Sequence, residues 1–126
     1  MTETELISAT KRTHALLMRI VDAVNSKDLA ALDEALGSGF VHHRGPVSTN
    51  RETYLALWRP FFEMAPAYRV QLVDLVESEA SAAFRFIATG WPTEESKASA
   101  VWFMSLDDGR IVEAWETREQ YPEPEA

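Results

Sequence analysis

The feature that most constrains this fold is a long β-hairpin predicted for residues 98–119. Its turn falls at Asp108-Gly109, between the apolar-rich runs SAVWFMSL and RIVEAWE. The dipeptide Asp-Gly favours a two-residue type I′ turn, because both central residues of that turn need positive φ. The sequence therefore predicts two long antiparallel strands joined without a loop.

A two-residue turn also predicts which side chains share a face of the hairpin. It pairs Trp102 with Trp115 on one face and Val101 with Glu116 on the other. Both faces are rich in apolar residues, whereas a sheet with one solvated face alternates apolar and polar residues. We therefore expect one face to hold a pocket with a carboxylate and the other to meet a partner.

Length, charge and cysteine content restrict the class of protein. The 126 residues predict a single domain spanning 1–126, with a frayed acidic tail from about residue 120. A formal net charge of −8 argues against nucleic acid as a partner, since binding a phosphate backbone needs a basic face. The chain has no cysteine, no signal-peptide pattern at MTETELIS and no apolar run of membrane-spanning length. A cytoplasmic protein that does not bind membranes is the expectation.

Periodicity predicts helices first and antiparallel strands afterwards. Apolar spacing indicates two helices, at residues 3–25 and 28–36, followed by a short strand at 40–43. Thr49-Asn50-Arg51-Glu52 has the form of a capping box and opens a third helix, which Pro60 should kink or restart. After Pro66 the period changes to two, and strands are predicted at 68–77 and 80–89. This order predicts an α+β fold with helices on one face of a curved sheet.

The same order of elements resembles a known superfamily. Together with FVHHRG at residues 40–45 and GRIVEAWE at residues 109–116, it is similar to the nuclear transport factor 2-like superfamily, and within it to the SnoaL-like polyketide cyclase group. The resemblance covers nearly the whole chain. It implies a cystatin-like cone, in which a curved antiparallel sheet wraps around the N-terminal helices and a pocket opens between them. Members include isomerases, dehydratases, epoxide hydrolases and non-catalytic transport proteins, so the fold does not define the function.

The resemblance also implies which face of the hairpin lines the pocket. Apolar content alone would bury the face that carries Trp102 and Trp115, whereas the resemblance turns Val101 and Glu116 inwards. A one-residue slip of register would exchange the two faces. We follow the resemblance, which leaves both indoles on the outer face. Because a monomer seldom leaves so large an apolar patch in water, a homodimer through that face is predicted.

Glu116 and His43 are the candidate catalytic residues. The resemblance implies an acid/base role for Glu116, which follows the tryptophan of the final strand, and burial in an apolar cup should raise its pKa. The alternative for Glu116 is a structural ion pair with Arg118, two residues on. His42 and His43 point to opposite sides of their strand, so at most one enters the pocket, and the family pattern favours His43.

The remaining predicted site residues form the walls of the pocket. Tyr54 would add a hydroxyl donor, and core packing is the alternative role for the aromatic row on the third helix. Three scattered histidines do not have the spacing of a metal site, and no cofactor is expected. The predicted substrate-binding residues are Tyr54, Trp58, Phe62, Phe84, Phe86, Val101, Phe103, Ala114 and Arg118.

The sequence leaves two functions open. The first is a cofactor-independent isomerase, cyclase, dehydratase or hydrolase that acts by acid/base chemistry on an apolar, oxygenated small molecule. Chemistry of the ketosteroid isomerase type is disfavoured, because Val101 stands where that group of the superfamily has an acidic residue. The second is a non-catalytic dimer that binds a ligand or a protein partner.

Overall fold

In the part of the chain that the structure describes, three helices and six strands build the α+β fold that the sequence predicts. The computed structural model describes residues 2–78 and 80–122, without the side chains of residues 6–10. Part of the predicted acidic tail, from residue 123 onwards, lies outside this description. The elements in chain order are α1 (Glu3–Ser26), α2 (Leu29–Ala35), β1 (Leu36–Arg44), β2 (Val47–Asn50), α3 (Arg51–Met64), β3 (Arg69–Glu77), β4 (Ser81–Thr89), β5 (Lys97–Asp107) and β6 (Arg110–Gln120).

Side-chain caps fix where the helices begin. The Thr2 hydroxyl accepts a hydrogen bond from the backbone N of Glu5 at 3.1 Å, and the backbone N of Thr2 donates to the Glu5 carboxylate at 3.4 Å, which completes a capping box. In α3 the N-cap is Asn50, which accepts from Thr53 N at 2.9 Å. α3 continues through Pro60 to Met64. Of the helices in the described part of the chain, none is long and apolar enough to cross a membrane.

The six strands form one sheet in the order β2-β1-β6-β5-β4-β3. Only β1 and β6 run parallel; the other neighbouring strands are antiparallel. β4 alternates strictly between buried and half-buried residues, as the period of two requires. We call the face that packs against the helices the inner face and the opposite one the outer face. The inner residues of β4, predicted from the sequence, are Ala82, Phe84, Phe86 and Ala88.

A β-bulge in the final hairpin changes its register. Near the turn, Leu106 pairs with Ile111, as a two-residue turn at Asp108-Gly109 predicts. The next pair is Ser105 with Glu113, so Val112 is an extra residue on β6. An extra residue on one strand shifts every later pair by one and reverses the faces of one strand relative to the other.

The bulge corrects the predicted arrangement of the hairpin. Trp102 pairs with Glu116, and both side chains are buried on the inner face. Phe103 pairs with Trp115 on the outer face, beside Val101, which is 46% exposed. The predicted pairing of Trp102 with Trp115 and the inward placement of Val101 and Phe103 are therefore wrong. The inward placement of Glu116 and the outward placement of Trp115 agree with the structure.

Candidate functional site

Two adjoining spaces lie between the helices and the inner face of the sheet. The inner one is a cavity of about 60 Å³ lined mainly by apolar side chains of the helices and sheet. The outer one is an open cleft of about 540 Å³. The cavity and the cleft meet where five residues line both of them: Tyr54, Trp58, Tyr68, Glu116 and Arg118.

The Glu116 carboxylate is held by three donors from three strands. Its Oε1 accepts from Trp102 Nε1 at 2.8 Å and from His42 Nε2 at 3.1 Å. Its Oε2 accepts from Arg118 Nε at 3.2 Å. The bulge makes this possible, because it turns β5 and β6 so that Trp102 and Glu116 share the inner face.

The charge of Glu116 follows from these donors. Burial alone raises the pKa of Glu116, but the hydrogen bond from His42 and the positive charge of Arg118 outweigh it, so this pKa lies below its ordinary value. The predicted rise in the pKa of Glu116 is therefore wrong. At neutral pH the group is a carboxylate that accepts hydrogen bonds, and the ion pair with Arg118, given as the alternative role, is present.

His42 is the histidine that lines the cleft. It is 8% exposed, and its ring lies 4.8 Å from that of Tyr54 and 5.2 Å from that of Trp102, measured between centroids. Since Nε2 donates to the Glu116 carboxylate, the neutral ring carries its lone pair on Nδ1. Among the described residues, none forms a hydrogen bond with Nδ1, and the His42 side chain lines the cleft. Nδ1 is therefore available to a molecule in the cleft.

His43 lies on the outer face, and its predicted place in the pocket is corrected. Its Nε2 is 2.6 Å from Glu113 Oε2, its Nδ1 is 2.8 Å from Ser48 Oγ, and its ring stacks on Trp115 with centroids 5.4 Å apart. The phase of β1 explains the difference. Phe40, only 1% exposed, occupies the inner face, and alternation then turns His42 inwards and His43 outwards.

The predicted wall residues divide into three groups. Tyr54 and Trp58 line both spaces, Phe84 and Phe86 line the inner cavity, and Arg118 lines both and donates to Tyr68 Oη at 3.4 Å. Burial raises the pKa of Tyr54, so its hydroxyl stays protonated at any physiological pH. Phe62 and Ala114 pack in the buried core. Val101 and Phe103, as described above, lie on the outer face.

The sequence analysis missed several residues of the site. Trp102 was assigned to the wrong face, and His43 was favoured over His42, although the spacing of two from Phe40 would have placed His42 correctly. Arg44 lies two residues further along β1 and also lines the cleft. Tyr68 and Trp91 come from the segments that flank β3 and β4, where no periodicity points to a pocket. Within residues 2–78 and 80–122, no group of three or more His, Asp or Glu is arranged to hold a metal ion.

Comparison with known families agrees with this architecture. A profile described as the SnoaL-like domain matches residues 17–114. The chain belongs to the SnoaL-like family. The matched segment of this SnoaL-like protein ends before Glu116, so the match defines the family without including the carboxylate. A comparison with curated protein sequences gave no significant match.

Several solved structures are similar to this SnoaL-like protein over most of both chains. IdmH, a candidate polyketide cyclase from Streptomyces antibioticus, has 25% identity and a TM-score of 0.73, covering 84% of this chain and 91% of its own. A candidate ketosteroid isomerase from Kribbella flavida has 18% identity and a TM-score of 0.77, covering 93% and 84%. AclR, a candidate hydroxylase from Streptomyces galilaeus, has 20% identity and a TM-score of 0.75, covering 86% and 89%.

Proposed function

We propose that this SnoaL-like protein is a cofactor-independent enzyme that moves a proton on an apolar, oxygenated small molecule bound in the outer cleft. The observation that carries the proposal is the pair formed by Glu116 and His42. The carboxylate holds Nε2 of the imidazole, and Nδ1 is left available to the cleft. General acid–base catalysis by a positioned imidazole serves isomerisation, cyclisation, dehydration and hydrolysis alike.

In this proposal His42 carries the proton and Glu116 positions it. Nδ1 takes a proton from a carbon next to a carbonyl, or from water, and the ring becomes an imidazolium. The ionised Glu116 stabilises that charge at 3.1 Å and keeps the ring in the tautomer that presents the lone pair to the substrate. The Tyr54 side chain lines both the cleft and the inner cavity, and its hydroxyl stays protonated. In this proposal it donates a hydrogen bond to an oxygen of a substrate that reaches from the cleft towards the cavity.

The relatives support a cyclic substrate. IdmH, at 25% identity, bears the description of a polyketide cyclase, and a second similar structure that of a ketosteroid isomerase. A cleft of about 540 Å³ is within the usual size of small-molecule sites.

Hydrogen–deuterium exchange tests the proposal before the natural substrate is known. Cyclic ketones and 1,3-diketones would be incubated with the protein in D₂O, and deuterium next to the carbonyl would be followed by NMR. We expect His42→Gln to slow the catalysed exchange by about 10²- to 10⁴-fold, the usual contribution of a positioned acid/base. Glu116→Gln should also slow it, because the imidazolium formed on His42 loses its counter-charge.

The control is His14→Gln, which alters an exposed histidine on α1. It should leave the exchange rate unchanged. Full activity in His42→Gln would contradict the role given to His42. Ligand binding without exchange by the wild type would favour the alternative, a non-catalytic binding module that uses the same cleft.

We further propose that the protein forms a homodimer through the outer face. Val101, Phe103 and Trp115 are 46%, 47% and 39% exposed there, and the rings of Phe103 and Trp115 lie 5.7 Å apart. They form one continuous apolar patch, of the kind that monomers seldom leave in water. Trp102, which the sequence assigned to this interface, lies inside, so the proposed interface consists of the other three residues and their neighbours.

A further inference from the structure

We propose that the ligand of the outer cleft is a ring compound that carries a carboxylate, and that Arg44 binds this group. The inference rests on the proposed function only in using the same cleft. It adds the chemical class of the ligand and a residue that determines specificity. Three observations carry it: the charge balance of the cleft, the position of Arg44 beside His42, and the aromatic wall.

The cleft carries a positive charge in an acidic protein. The charged residues that line it are Arg44, Arg118 and Glu116. Glu116 forms an ion pair with Arg118 and also feels the positive charge of Arg44, which helps to lower its pKa, so one carboxylate faces two guanidinium groups and the lining carries one positive charge in excess. Among the described residues, none offers Arg44 a carboxylate within ion-pair distance. Because the chain has a net charge of −8, this cleft is a local site where an anion is attracted.

Arg44 is the exposed last residue of β1 and lies on the same strand as the proposed proton carrier. It follows His42 by two residues and directly neighbours Glu116 in the parallel pairing of β1 with β6. Two residues along a strand span roughly 7 Å, so a carboxylate on Arg44 would bring the adjoining carbons of the ligand over His42. The planar guanidinium presents a fork of donors that matches the two oxygens of a carboxylate.

The aromatic wall of the cleft is formed by side chains of α3 and of the loop after β4 that pack edge to face on one another. Trp58 and Phe61 of α3 have ring centroids 5.7 Å apart, and Trp91 lies 5.5 Å from Phe61. All three line the cleft. A ligand that contacts both this aromatic wall and Arg44 therefore needs an apolar ring at one end and an anion at the other. Glu116 disfavours a doubly charged phosphate so close to it, which leaves a carboxylate as the anion that fits best.

Two matched probes test the inference. 2-Naphthoate carries the ring and the carboxylate, whereas methyl 2-naphthoate carries the same ring without charge. Binding of each would be measured by ligand-observed NMR titration at low salt. We expect the wild type to bind the carboxylate about tenfold more tightly than the ester, since one charge-assisted contact is worth about that factor.

The variants assign the effect to Arg44. Arg44→Gln should weaken 2-naphthoate binding about tenfold and leave the ester unchanged, whereas Arg44→Lys should lose less than Arg44→Gln, because it keeps the charge but not the fork of donors. Arg110→Gln, at an exposed position beside the hairpin turn, is the control and should change neither affinity. Added salt should reduce the preference for the carboxylate. Urea unfolding of each variant would confirm that it remains folded.

Several outcomes would overturn the inference. Equal binding of the two probes, equal loss for both in Arg44→Gln, or no binding of either at millimolar concentration would each contradict it. Tighter binding of 2-naphthyl phosphate than of 2-naphthoate would show that the site prefers a phosphate to a carboxylate, and this would also overturn the inference. His42→Gln separates this inference from the proposed enzyme function, because it should slow exchange by about 10²- to 10⁴-fold while the protein still binds 2-naphthoate more tightly than its methyl ester.

Discussion

At the scale of single residues, the ionisation of Glu116 depends on partners that are remote in sequence. His42 lies 74 positions earlier and Trp102 lies 14 positions earlier, yet both donate to the same carboxylate oxygen. The sequence could predict that Glu116 is buried, and burial alone raises the pKa of a carboxyl group. It could not predict the donors, because they meet only once the sheet register is set. The direction of the pKa shift was therefore wrong, although the location of the carboxylate was right.

The free energy of unfolding that is lost when Glu116 is replaced should depend on pH. The pKa of Glu116 in the folded protein lies below its ordinary value of 4.5, so ionisation stabilises the fold above pH 4.5 and this stabilisation is lost as the pH falls through the lowered pKa. We expect Glu116→Gln to cost about 3 kcal/mol at pH 7, because Arg118 loses its counter-charge. The cost should shrink towards pH 3.

Urea unfolding between pH 3 and pH 7 measures this prediction. Glu119→Gln on the same strand, at an exposed position, is the matched control and should change the free energy of unfolding by less than about 0.5 kcal/mol. A cost for Glu116→Gln that stays constant over this pH range would mean that the carboxylate contributes through shape alone.

At the scale of elements, the final hairpin separates what the sequence could and could not predict. Apolar content placed Trp102 inwards correctly, and the family resemblance placed Glu116 inwards correctly. In a regular two-residue hairpin Trp102 and Glu116 lie on opposite faces, so the sequence analysis had to reject one of the two placements. The extra residue at Val112 reconciles them, because the two strands change phase relative to each other at the bulge. No sequence signal marks this bulge, since Val112 also fits an unbroken strand.

The loop after β4 gives a prediction at the same scale. Gly90 has φ of +89°, and a Cβ at this position would lie 2.1 Å from the carbonyl oxygen of Ala67. We expect Gly90→Ala to destabilise the fold by more than about 2 kcal/mol, because strain in the left-handed region adds to a backbone clash. Trp91 follows directly, so the aromatic wall of the cleft should move as well. Thermal unfolding and 2-naphthoate titration would measure the two effects.

Gly39→Ala is the matched control for that prediction. A Cβ on Gly39 would meet no heavy atom within 4 Å, and its φ lies outside the positive region. Its stability should stay the same or rise by up to about 1 kcal/mol, because alanine restricts the unfolded chain. Equal stability of Gly90→Ala and the wild type would show that the close approach to Ala67 relaxes without cost.

At the scale of the whole molecule, the α+β fold was predictable and the composition of the site only partly so. The order of helices and strands follows from periodicity, and the closing motif GRIVEAWE resembles that of the family. Tyr54, Trp58 and Glu116 were placed correctly because each lies on an element whose inner face can be inferred. Arg44 and Trp91 could not be inferred, since they reach the cleft from the ends of strands and from a loop.

The proposed dimer is a prediction about the whole molecule and responds to salt in the opposite direction from carboxylate binding. Sedimentation velocity at 10–100 µM should give twice the 14.2 kDa chain mass. Each chain carries a net charge of −8, so like-charge repulsion opposes association and added salt should strengthen the dimer.

Phe103→Glu should weaken the dimer more than about tenfold, because a carboxylate would be buried in the apolar patch. Met64→Glu changes an exposed methionine at the end of α3 and should leave it intact. A wild-type monomer throughout this range would mean that Val101, Phe103 and Trp115 remain in contact with water.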